Sequence, residues 1–135
     1  MRLLVRQAPA VGLRLLVRGT STVPVRELLA GLSDQQRATL VRLSAGMRSG
    51  RGFLNDLRGA ADVTAQVTQP ALVIASRQDG GVPFVHAEAL AANLPHAELV
   101  KSVASSHFIW FGEDSPAIAE TIRQFLTRHP TRPVG

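Results

Sequence analysis

The stretch Gln69-Pro70-Ala71-Leu72-Val73-Ile74-Ala75-Ser76-Arg77-Gln78-Asp79-Gly80-Gly81-Val82-Pro83 differs in texture from everything before it. Ala71 to Ala75 is a continuous apolar run with the length and β-branched content of a strand buried on both faces, as in parallel sheets. Arg77 to Gly81 reads as a turn. Pro83 suits the first turn of a helix, where its missing N–H costs nothing, and that helix runs to about Asn93. Pro95 closes the unit. Glu98 to Val103 predicts a second strand, Ala104 to Gly112 a loop, and Asp114-Ser115-Pro116 the cap of a last helix. In that helix Ile118, Ala119, Ile122, Phe125 and Leu126 form one apolar stripe. A helical crossover joins the two strands, so they are parallel and both end at one edge.

Chemistry collects at that edge. Asp79 lies just past the first strand and His107 just past the second. Neighbouring strands are only ~4.8 Å apart, so the two side chains can meet within hydrogen-bond reach despite their separation in sequence. A carboxylate accepting from one imidazole nitrogen fixes the tautomer and leaves the other nitrogen as a general base. The plainer readings are an ordinary turn aspartate before Gly80-Gly81 and a solvated loop histidine. Phe108 and Trp110 line a substrate pocket or, more simply, seal the core. His86 and His96 lack the i, i+4 spacing of a metal-binding pair, so no metal site is expected.

With Ser106-His107-Phe108 after the second strand, the segment from Gln69 to Pro83 resembles the C-terminal part of the α/β-hydrolase fold family, over roughly residues 66–128. The resemblance implies an incomplete three-layer α/β fold with two parallel strands, the roles of triad acid for Asp79 and triad histidine for His107, a small ester-like substrate, and no cofactor. It also implies that residues 1–66 are a helical cap or lid, residues 67–128 the end of the core, and residues 129–135 a flexible tail. Some family members carry the acid on the preceding strand, which would leave Asp79 a turn residue. The family's nucleophile sits on a Gly-x-Ser-x-Gly elbow, and this sequence has none. Gly19-Thr20-Ser21-Thr22-Val23 comes nearest but lacks the closing glycine. No nucleophile is therefore assigned, and ester, epoxide, halide and peptide chemistries stay open. The expectation is the C-terminal portion of a hydrolase, inactive alone.

Residues 1–66 predict helices and no strand. Leu3, Leu4, Val11, Leu15 and Leu16 alternate with Arg2, Arg6, Arg14 and Arg18, and Pro9 divides this run in two. Ser33 and Gln36 form a capping-box pattern before a helix carrying Leu40, Val41, Leu43 and Met47. Phe53, Leu54 and Leu57 suggest one more short helix.

The 135 residues carry a net charge of +5, but unevenly: residues 1–58 hold ten arginines against three acids, and residues 59–135 five cations against seven acids. The arginine face reads as a solvated cap surface; without interleaved aromatics or a nucleic-acid motif, nucleic acid is not an expected partner. The absence of cysteine excludes a disulfide framework. Apolar runs are too short to span a bilayer, and no secretion signal is evident, so a cytoplasmic location is expected. Two strands make a sheet with open edges. Further strands upstream or on a partner chain, or a second copy of this chain, would close them. A non-catalytic module binding a partner chain or an anionic surface, through that edge or the basic helices, is the alternative function.

Overall fold

The computed structural model describes residues 9–46 and 64–130. Among these residues three helices come first: α1 (Pro9–Val17), α2 (Val25–Ala30) and α3 (Asp34–Gly46). A 3₁₀ turn (Thr64–Gln66) leads into β1 (Ala71–Ser76), α4 (Phe84–Asn93) and β2 (Ala97–Ser102). A second 3₁₀ turn (Ile109–Phe111) and α5 (Ser115–Arg128) follow. The short helix expected around Leu57 lies outside the described residues.

α3 begins as its sequence predicts. The Ser33 N–H donates to Gln36 Oε1 at 2.8 Å and the Gln36 N–H to Ser33 Oγ at 3.2 Å, so both orphan donors are satisfied reciprocally. α2 has no counterpart in the sequence reading. It is only six residues long and opens from Pro24, whose carbonyl accepts the N–H groups of Glu27 and Leu28. Leu28 anchors it, packing with Leu13, Val17, Leu32 and Leu40 in one buried apolar cluster. Phe108 and Phe111, from the loop after β2, pack against the same cluster, joining the helical region to the strand–loop region.

β1 and β2 are parallel and in register from Ala71 opposite Ala97 to Ser76 opposite Ser102, with α4 as the crossover packed on both. β2 starts and ends one residue earlier than its apolar pattern suggests. The Val103 N–H donates to Asp114 Oδ2 at 2.8 Å. Pro83 stands at the N-cap of α4, in an extended conformation, rather than inside its first turn. α5 is tied to β2 by a two-point ion pair from Arg128 to Glu98. Its apolar stripe is narrower than expected: Ile118 and Phe125 are buried, Ile122 is half-buried, and Ala119 and Leu126 are exposed. Two strands span about one 4.8 Å spacing, less than the ~10 Å width of a helix with its side chains. Among the described residues, no helix is long and apolar enough to cross a membrane.

Candidate active site

Each strand ends on a serine that is 1% exposed, and these two serines organise the loops carrying Asp79 and His107. Ser76 Oγ donates to the Ala104 carbonyl and accepts the Gln78 N–H at 3.1 Å, turning the chain immediately after β1. Ser102 Oγ donates to Asp114 Oδ1 at 3.1 Å and accepts the Ala104 N–H at 3.1 Å. Asp114 therefore spends its carboxylate on β2 and the following loop; it makes no side-chain cap on α5, at whose N-cap it stands. Neither serine stands out in the sequence. The available signal was a small polar residue closing the apolar run of β1; Ser102, between Lys101 and Val103, carries none.

The turn after β1 brings Asp79 to a buried position. Its Oδ1 accepts the Gly81 N–H at 2.7 Å and the Val82 N–H at 2.8 Å, and its Oδ2 lies 2.7 Å from His107 Nδ1. The two residues singled out from sequence are thus in direct contact, across 28 positions of chain. A carboxylate can only accept, so Nδ1 carries the proton and Nε2 of the neutral ring is a base. Nε2 has no hydrogen-bond partner among the described residues, and half of the His107 side chain is exposed against 7% of Asp79. Burial pushes the Asp79 carboxyl up. The hydrogen bonds from Val82, His107 and Gly81, with the attraction of the imidazole, outweigh that and hold it below the usual aspartate value.

A third segment meets this pair. The His107 N–H donates to the Thr20 carbonyl at 2.7 Å, the Thr22 N–H to the Gln78 carbonyl at 2.9 Å, and Ser21 forms an isolated antiparallel bridge with Asp79. Ser21 Oγ is committed elsewhere: it donates to the Ser105 carbonyl and accepts the Val23 N–H at 2.9 Å. Ser21 therefore sits beside the pair as backbone, with its hydroxyl engaged by neither Asp79 nor His107.

A cavity of about 490 Å³ opens next to the His107 loop. Its wall includes Val17, Leu28 and Leu40 from the helices and Ala104, Phe108 and Phe111 from the loop. Trp110 takes no part in it and is 59% exposed. In a 3₁₀ turn, residues three apart eclipse, so Phe108 and Phe111 share the inner face and Trp110 falls outside it. Trp110 neither lines the cavity nor seals the core. His86 and His96 are exposed on α4 and the connector after it. No group of three metal-ligating side chains occurs among the described residues.

Comparison with known proteins yields three findings. The TAP-like protein family matches residues 55–134. The uncharacterized hydrolase YcgS of Bacillus subtilis (strain 168) is 27% identical over 110 residues, covering 78% of this chain and 39% of its own length. An alpha/beta hydrolase fold protein from Nakamurella multipartita superposes with a TM-score of 0.71 at 22% identity, over 93% of this chain and 50% of that one. The chain spans about two fifths of the length of the curated relative and half that of the solved structure.

Proposed function

This chain belongs to the TAP-like family of α/β-hydrolases, and from that membership we propose that it supplies the acid and the general base of a hydrolytic triad. The observation carrying this reading is the 2.7 Å contact between Asp79 Oδ2 and His107 Nδ1, with Nε2 left without a partner among the described residues. In hydrolysis of a small ester-like substrate, Nε2 takes the proton of the attacking nucleophile as its oxygen or sulfur bonds to the acyl carbon. The imidazolium formed is stabilised by Asp79. The same proton passes to the departing alkoxide as the acyl–oxygen bond breaks, and a water molecule repeats the cycle to release the acid. The nucleophile belongs to an elbow outside this sequence. Residues 9–46 fill the place of a cap, and their helices wall the cavity beside His107.

Two assays test the reading. The pure chain is expected to show no labelling by a fluorophosphonate probe and no turnover of p-nitrophenyl acetate; labelling would place a nucleophile within it. Joined to the elbow-bearing region of a relative, the chain should complete an esterase. In it His107→Ala lowers kcat by roughly 10³-fold or more and Asp79→Asn by about 10²- to 10⁴-fold. Turnover undiminished by His107→Ala would overturn the assignment.

A further inference from the structure

We propose that residues 19–22 form a strap that positions the Asp79–His107 pair, with Ser21 and Gly80 as its positioning residues; the inference rests on the acid–base reading of that pair. Two backbone hydrogen bonds join the strap to both loops: Thr20 carbonyl to His107 N–H, and Thr22 N–H to Gln78 carbonyl, the latter setting Ser21 opposite Asp79 in an antiparallel bridge. The Ser21 hydroxyl adds a third, to the carbonyl of Ser105, two residues before the histidine. Histidine and aspartate therefore hang from one short segment, and their relative position depends on it as well as on the sheet.

The strap is itself anchored at both ends. Gly19 leaves α1 at φ +83°, a conformation that side-chain-bearing residues rarely adopt. Thr20 then returns both its N–H and its hydroxyl to the Val17 carbonyl, at 3.1 and 2.8 Å. At the other end Pro24 opens α2. Val17 and Leu28 lie in the buried cluster that these helices share, so the strap is held taut between two core-anchored helices.

Gly80 shows how closely strap and site are fitted. A Cβ at that position would stand 2.7 Å from the carbonyl carbon and oxygen of Ser21 and 2.8 Å from its nitrogen. All three are backbone atoms, so no side-chain rotation relieves the clash. Only glycine lets the Asp79 turn lie flat against the strap. The Gly-Gly after Asp79, a turn signal in the sequence, is on this reading a packing requirement at its first residue.

The test uses ¹⁵N-histidine-labelled chain and reads the downfield Nδ1–H resonance of His107, the signature of a proton shared with a carboxylate, and its exchange with water. In the parent chain the resonance is expected, and Asp79→Ala abolishes it. Gly80→Ala and Ser21→Ala should each speed its exchange by about tenfold or more while the far-UV dichroism of the helices stays unchanged. Ser21→Thr, which keeps a hydroxyl, should restore slow exchange. Should Gly80→Ala fail to fold, Ser21→Ala against Ser21→Thr decides. Absence of the resonance in the parent chain would overturn the acid–base reading itself. A resonance present there and unmoved by both Gly80→Ala and Ser21→Ala would overturn the strap alone.

Discussion

The helical region and the carboxyl end of the sheet use burial for different ends. In the helical region, connectors included, the most enclosed side chains are large and apolar: Leu13, Val17, Leu28, Leu32 and Leu40. At the sheet's end they are small or polar: Ser76, Ser102, Ser106, Ala104 and Asp79. Every buried side-chain nitrogen or oxygen among the described residues has a partner. Apolar burial is non-directional and tolerates adjustment, whereas a buried hydroxyl with two partners fixes both to within a fraction of an ångström. One region supplies cohesion and the other supplies position. Phe108 and Phe111 join the two, packing into the cohesive cluster from the loop that holds His107.

Three substitutions probe this contrast, in decreasing order of effect. Leu40→Ala, at a site 2% exposed, should cost about 2–5 kcal/mol by urea denaturation; a loss under 1 kcal/mol would mean the helical cluster is not where cohesion lies. Ser76→Ala should cost about 1–3 kcal/mol, because the Gln78 N–H and the Ala104 carbonyl lose their shared partner. It should also accelerate amide exchange at Gln78 and Asp79 more than in α3, and uniform acceleration would erase the distinction between the regions. The smallest effect is at acid pH. The Asp79 carboxyl lies below its ordinary value, near 3.9 when unfolded, so between the two values the unfolded chain binds the extra proton. The stabilisation from Asp79 is complete above about pH 3.9 and is lost as pH falls through the lower folded value. Asp79→Asn should flatten this part of the acid unfolding curve, and an unchanged slope would show that the carboxylate is not held by these bonds.

The strand–helix–strand order, the shared carboxyl edge and the capping box at Ser33 were legible because each is written in local periodicity or fixed spacing. The Asp79–His107 contact was legible for a related reason: parallel topology alone brings two strand-end loops together. α2 was not, since six residues are too few to display a helical period and Leu28 owes its burial to other helices. The outward position of Trp110 was not legible, because a strand-end aromatic looks the same whether its 3₁₀ turn faces it inward or outward. Ser76 and the 19–22 strap act through bonds to distant backbone, and Ser102 through a bond to the Asp114 side chain, which leave no pattern in the neighbouring sequence.

The six matched pairs from Ala71–Ala97 to Ser76–Ser102 also set a length standard. A slip of one residue between the strands would displace one loop along the sheet by about 3.3 Å and turn its side chains to the opposite face. That displacement exceeds the whole 2.7 Å separation of Asp79 Oδ2 and His107 Nδ1. Strand alignment therefore works as a vernier: its step is coarser than the contact it must deliver, so only one setting joins Asp79 to His107.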